Sequence, residues 1–381
     1  MLSLHTNNAA LSAQSSLSRT QSSLSTSMTR LSTGFRINSA MDDAAGLQIA
    51  TRLKAQTSGM AVAMRNTQNS VSMLQTAEGA LDEVTNVLVR MKDLATQAAD
   101  GSSSAADRGA MQSEYDALAS ELSNIIGNTS FGGSKLMNKK ATAAEITAAA
   151  TAATNANTAT TAPNATFTST QTAYTTAQGT YNTTPTDANK AAMETAKTAF
   201  DNATKAKTDA DNLKNITAAY STAAAASAAS TDGSLSAAIN FQIGASSGET
   251  MSLDLTTDLG AVHTALRGVS ANYNSFGAAV SGTSTELTNS ASATIDKLQT
   301  AIDAVSTVRS GVGAAANRLD HVYNNLSNVS TNTQNATGRI MDVDFATESA
   351  KMTSNQMLMQ AGTAMLKQSN SMSSMVMSLL Q

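Results

Sequence analysis

MLSLHTNNAALSAQSSLSRTQSSLSTSMTRLSTGF, residues 1–35, decides the fold. Its apolar residues fall at Leu4, Leu11, Leu17, Leu24, Met28, Leu31 and Phe35, with spacings mostly of three, four or seven. Such spacing reads as an amphipathic helix of the coiled-coil type. The residues between are mostly Ser, Thr, Asn, Gln and Ala, so the segment has no core of its own and must bury its stripe against something else. The far end carries the same pattern at Leu358, Met365, Met372 and Leu379, beside a parallel row at Met352, Met359 and Leu366. The two ends are therefore expected to pair. The fold class is mainly α, an elongated hairpin of long coiled-coil helices from both termini, with the middle of the chain at the tip.

The chain inside these ends continues the theme. A break at Gly34 leads through RINSAMDDAAG into a heptad at Leu74, Ala77, Leu81, Val84, Leu88, Met91, Ala95 and Ala98. After the turn-rich Asp100–Ser104, Met111, Tyr115, Leu118, Leu122 and Ile125 mark a third helix that stops at Gly127. FGGSKLM (Phe131–Met137) reads as loop and short strand. From 138 to 234 the composition shifts to Ala, Thr and Asn. There Thr186–Leu213 is the best helix, with Asp187 at or near its N-terminal cap. A segment with Phe167, Tyr174 and Tyr181 is its mate across Pro185. This predicts a small helical outer domain, with a β-rich or partly disordered insert as the alternative. The period then changes to two: AINFQIG (Ala238–Gly244) and TMSLDL (Thr250–Leu255) flank a turn as a β-hairpin. A last seam runs Ile295, Leu298, Ile302, Val305, Val312, Leu319, Val322, Leu326 and Val329, interrupted by Arg309. That arginine either pairs with a carboxylate across the seam or marks a register stutter, and the stutter is favoured.

Composition narrows the function. Aromatics are 3% of 381 residues and Trp is absent, too little for an ordinary large globular core, while Ala and Met suit close helix packing. A net charge of −4 offers no footprint for nucleic acid. No apolar run approaches the ~20 residues that span a bilayer, so no membrane insertion is expected, and the opening residues lack the pattern of a cleaved signal peptide. Cysteine is absent, which removes disulfides and thiol chemistry. His5, His263 and His321 share no ligand spacing. His5 reads as a surface residue and His263 as a loop or helix-edge residue. Asp42 and Asp43 read as helix-start residues rather than a paired site. The methionines of the last stripe read as core rather than as a metal or redox device. No catalytic residue, cofactor or metal is expected, and the chain does not read as an enzyme.

LSTGFRINSAMDDAAGLQIA (Leu31–Ala50) resembles the flagellin N-terminal signature LSSGLRINSAKDDAAG. AEGALDEVTNVLVRMKDLATQAA (Ala77–Ala99) resembles the next flagellin helix, and INFQIGASSGETMSLDL (Ile239–Leu255) the hairpin before the C-terminal helices. Ala346–Gln381, with MQAGTAML and a final MSLLQ, resembles the flagellin C-terminus. The opening MLSLHTNNAAL and the Met-rich ends look most like lateral, swarming-type flagellins. The resemblance implies a structural subunit that polymerises into the bacterial flagellar filament for swimming or swarming. Residues 1–42 with 342–381 would form inner-tube terminal helices, 43–137 with 235–341 a helical core layer with the β-hairpin, and 138–234 a variable surface-exposed outer domain. Leu4, Leu11, Leu24, Leu31, Leu358, Met365, Leu366, Met372 and Leu379 would pack the filament.

Implied partners are copies of the same chain, the cap protein, the hook–filament junction proteins, and the flagellar export apparatus with its chaperone. The implied location is the extracellular filament, reached through the export channel. The terminal helices, rich in Ser, Thr and Asn, are expected to fold only on assembly. In flagellins seen by Toll-like receptor 5 the epitope carries a pattern like Q-R-V-R-E-L-A with a Glu on the following helix. Val89–Ala95 is the aligned stretch and Glu114 stands at the matching place: Arg90, Leu94 and Glu114 are retained as epitope residues, while Lys92 and Asp93 are conservative departures and Val89 replaces the Gln. The plainer reading is that Arg90 lies on a solvated face and pairs with Asp93 or Glu114, and that Leu94 serves subunit packing. Two alternatives stand beside the filament subunit: a hook–filament junction protein, and a coiled-coil signalling protein, which would need a membrane span.

Overall fold

The computed structural model describes residues 7–277, 280 and 282–379, the last seven of these by backbone alone. The fold is mainly α, with two small antiparallel hairpins. Contacts group the chain into two units: Asn66–Ile243 with Thr250–Tyr323, and Met1–Arg65 with Gly244–Glu249 and Asn324–Gln381. The unit boundaries fall inside helix α2 (Ala44–Ala99) and helix α8 (Glu286–Met341).

The larger unit holds the regular heptads. Leu74, Ala77, Leu81, Val84, Leu88, Met91, Ala95 and Ala98 of α2 are all buried. They pack with α3 (Ala105–Asn128) and with Leu298, Val305, Val308, Val312 and Leu319 of α8 in one core. On α3 the inward row is Met111, Tyr115, Ala119, Leu122 and Ile126, so Leu118 and Ile125 stand at its edge rather than in it. The Tyr115 hydroxyl donates to the Val269 carbonyl at 2.9 Å, which lets a phenol sit in the core without an orphaned polar atom. α3 begins with a capping box: Asp107 N–H donates to Ser104 Oγ at 3.1 Å, and Ser104 N–H to Asp107 Oδ2 at 3.1 Å. Arg309 is paired, correcting the stutter reading. Its Nη2 lies 2.8 Å from Glu78 Oε1 and 2.9 Å from Asp82 Oδ1.

FGGSKLM contributes β1 (Ser130–Phe131) and β2 (Ser134–Lys135), turning through Gly132 and Gly133 at positive φ. β3 (Ile239–Gln242) and β4 (Thr250–Leu253) form the expected second hairpin.

The Ala/Thr/Asn segment is helical throughout most of its length, as α4 (Ala143–Ala159), α5 (Thr161–Thr183) and α6 (Asp187–Ser227). α6 runs past Leu213; its cap is Thr186, whose hydroxyl accepts from Asn189 N–H at 3.2 Å, and Asp187 follows it as the first residue of the helix. Thr is a mediocre helix former, but its hydroxyl can return to the carbonyl four residues back. Thr147, Thr151, Thr154, Thr166, Thr195 and Thr217 among others do so. Phe200 meets Phe167 at 5.4 Å and Tyr174 at 5.7 Å between ring centroids, which joins α5 to α6 as the aromatic spacing suggests.

α7 (Thr256–Val269) is a further helix that the sequence pattern did not single out. It carries His263, which is buried rather than at an edge, with Nδ1 2.8 Å from the Tyr273 hydroxyl and Nε2 3.1 Å from the Met137 carbonyl.

The smaller unit contains α1 (Asn8–Thr33), the start of α2, the end of α8 and α9 (Phe345–Leu379). Gly34 ends α1 at φ 76°, a left-handed cap whose N–H donates to Arg30 O at 2.9 Å. Asp42 Oδ2 accepts from the Asn38 and Ser39 N–H groups, while Asp43 Oδ1 accepts from Gly46 N–H at 2.9 Å and opens α2. The two aspartates thus serve turn and cap.

Candidate assembly surface

α1 and α9 pair antiparallel. Asn7 Nδ2 donates to Ser369 Oγ at 3.1 Å at one end, and Ser27 Oγ to Glu348 Oε1 at 2.6 Å at the other. Beyond α1 the chain is tied by Arg36 N–H to Met341 O at 2.6 Å and Val343 N–H to Gly34 O at 3.0 Å.

The less exposed residues recur with a three-four alternation on both helices, with Arg30 beside the row on α1. On α1 they are Ala10, Ala13, Leu17, Thr20, Leu24, Ser27 and Leu31; on α9, Glu348, Met352, Asn355, Met359, Gly362, Leu366 and Ser369. This is a coiled-coil seam, but a thin one. Small and polar residues fill much of it, and a Cβ on Gly362 would come 3.3 Å from Leu17 Cδ1. Glu348 is buried in the seam. The hydrogen bond from Ser27 holds its carboxyl below the usual range against the cost of burial, and the Lys351 and Arg30 charges add to it.

The large apolar residues left out of the seam face solvent. Leu11 and Met28 of α1, and Phe345, Met357, Leu358, Met365 and Met372 of α9, are each more than half exposed. Leu358, Met365 and Met372 form one row at intervals of seven. The row meeting α1 is the parallel one, Met352, Met359 and Leu366. Of the sequence-selected packing residues, Leu24, Leu31 and Leu366 lie in the seam, and Leu11, Leu358, Met365 and Met372 lie outside it. Leu4 lies outside the described residues, as does His5, and Leu379 is described by backbone alone. The C-terminal methionines are likewise not all core, since three of them are exposed. In the same unit, exposed Phe35 lines a groove with Leu47, Ala50, Ala61 and Met341.

The sequence-selected epitope is divided by the structure. Arg90 donates to Glu114 Oε1 from Nε at 2.9 Å and Nη2 at 2.7 Å, and both side chains are about half exposed. Leu94 is buried within the core of the larger unit and is absent from that surface, which also removes its role in subunit packing.

No group of three His, Cys, Asp or Glu among the described residues could hold a metal ion, and no described helix is long and apolar enough to cross a membrane.

The two terminal regions, whose pairing makes this surface, are also where the chain matches known proteins. Residues 4–142 match the bacterial flagellin N-terminal helical region, and residues 295–380 match the bacterial flagellin C-terminal helical region. This chain belongs to the flagellin family. Among curated relatives, polar flagellin F of Vibrio parahaemolyticus is 49% identical over 137 residues, and flagellin D of Vibrio cholerae is 47% identical over 137 residues. Each alignment covers 36% of this chain and 36% of the relative, so the chain spans about a third of the length of the flagellins it matches. Polar flagellin B/D of Vibrio parahaemolyticus is 47% identical over the same share. Two of these three relatives are named polar flagellins, so the lateral-type resemblance rests on the opening and Met-rich residues alone. A crystal structure of Bacillus cereus flagellin aligns with 69% of this chain and 88% of its own at 23% identity, with a TM-score of 0.36, too distant a superposition to bear on the fold.

Proposed function

We propose that this flagellin-family chain is a non-enzymatic subunit that polymerises with copies of itself into an extracellular flagellar filament serving motility. The supporting observation is the outward apolar row of α9. Large apolar side chains held at seven-residue intervals on a solvent-facing helix surface gain nothing in the monomer. They gain roughly 1.5–3 kcal/mol each when a neighbouring copy covers them. In the filament, residues 1–42 with 342–381 form the inner tube, 43–137 with 235–341 the surrounding layer, and 138–234 the outer domain. Growth of the filament involves export through the flagellar channel with a chaperone, and contacts with cap and junction proteins. Arg90 and Glu114 are the residues of this chain offered to a host receptor.

Seeded growth tests the reading. Purified chain added to sonicated filaments of the same protein should extend them by micrometres under the electron microscope. Capping of the seeds without extension would identify a junction protein instead. Replacing residues 140–232 with a short Gly/Ser bridge should leave extension intact, and loss of extension on that deletion would overturn the three-part division.

A further inference from the structure

The outward side of α9, Met357 together with the row Leu358, Met365 and Met372, is distinctive in chemistry as well as in position. Met357, Met365 and Met372 are thioethers more than half exposed, whereas Met60, Met91, Met111, Met137 and Met251 are buried. The chain has 19 methionines and neither cysteine nor tryptophan, so no thiol or indole of its own competes for an oxidant. Oxidation of methionine follows exposure and converts a flexible apolar side chain into a polar one.

We propose that Met357, Met365 and Met372 form an oxidation-sensitive assembly surface, on which a peroxide switches the free monomer out of polymerisation. The inference rests on the filament reading above. In the step, a sulfur lone pair attacks one peroxide oxygen, an S–O bond forms and the O–O bond breaks. The departing hydroxide takes up the proton released from the attacked oxygen and leaves as water. Sulfur is oxidised by two electrons to the sulfoxide and the peroxide is reduced by two. Because the three side chains point away from the α1–α9 seam, the monomer keeps its internal packing. What changes is the face a second copy must cover, where a sulfoxide oxygen would be buried against apolar partners without a donor. Each such oxygen should slow subunit addition about tenfold. Subunits already in the filament are shielded by their neighbours. Sulfoxide reductases specific for the two sulfur epimers, supplied with a dithiol, reverse the change.

The test compares elongation from seeds before and after treating full-length monomer with hydrogen peroxide, with peptide mapping of each methionine. Met357, Met365 and Met372 should oxidise before Met91 and Met137, and elongation by treated monomer should fall at least about tenfold. Circular dichroism should stay unchanged, and the two reductases should restore growth. In a variant carrying Met357→Leu, Met365→Leu and Met372→Leu, the ratio of treated to untreated rate should stay near one. Met41→Leu should not protect, although Met41, in the turn before α2, is 97% exposed. Undiminished growth of monomer oxidised at all three sites overturns the inference, as does a triple variant that remains sensitive. If that variant does not grow untreated, recovery of the parent by the reductases decides. Failure of untreated parent to extend seeds overturns the filament reading itself.

Discussion

The seam of α2, α3 and α8 and the seam of α1 and α9 are written in the same heptad language but finished differently. In the first, Leu74, Leu81, Leu88, Met91, Leu122 and Leu298 are 0% exposed, and the polar groups that enter are satisfied locally. In the second, Ala, Thr, Ser, Asn and Gly take many inward positions, and the bulkier apolar side chains of the outward row are left in water. Coiled-coil spacing specifies that a helix has a sticky face; the size of the side chains on each face specifies whether one partner is enough. The first seam is complete within one chain. The second pairs two helices and leaves a further face for more.

The largest expected contrast is between Leu88→Ala and Leu358→Ala. The first opens a cavity in a closed core and should cost about 2–5 kcal/mol in urea unfolding of the monomer. The second removes an exposed side chain and should change that curve by no more than about 0.5 kcal/mol, while reducing seeded growth. Equal destabilisation by both would erase the distinction between the seams.

Acid should act first on the closed region. Burial pushes His263 down to about 4 from an ordinary 6.5. With the folded pKa below the unfolded one, the unfolded chain binds the extra proton between these values. Stability is thus unaffected above about pH 6.5 and falls progressively toward pH 4, by about 3 kcal/mol in all. His263→Gln should flatten that slope, as read from unfolding curves across the window.

Glu348→Gln probes the thin seam. Its carboxylate is held below the usual range chiefly by Ser27, so its contribution is present above the ordinary carboxylate pKa and is lost as pH falls through the lower folded value. Substitution should cost about 1–2 kcal/mol at neutral pH, seen as weaker helicity of α1 and α9, and little at acid pH. Smallest is Arg309→Met. Its ion pairs with Glu78 and Asp82 are partly solvated, and their loss should change stability by less than about 1 kcal/mol.

What was legible in the sequence follows the same physics. The Leu74–Ala98 heptad was readable because large apolar residues recur against polar ones, so its burial is a direct consequence of period. The β3–β4 hairpin was readable from its change of period to two. α4 and the extension of α6 were hidden because Ala and Thr give little contrast between faces, and their helicity depends on propensity and on hydroxyls bonded to carbonyls. α7 and the burial of His263 depend on distant partners, Met137 and Tyr273, that no local pattern announces. The two rows of α9 could not be ranked from spacing, since both are apolar, and only pairing with α1 shows which faces inward. The Arg90–Glu114 pair was foreseeable from a motif, but Leu94 stands beside the heptad position Ala95 rather than on it, so spacing alone did not announce its burial.

Amide hydrogen exchange, compared between free monomer and assembled filament, tests the difference between the two seams most directly. In the monomer, residues 74–98 should be strongly protected while residues 8–33 and 345–372 exchange rapidly, and the filament should bring those terminal helices up to the protection of the closed core. Terminal helices as protected in the free monomer as residues 74–98, with no gain on assembly, would contradict the account.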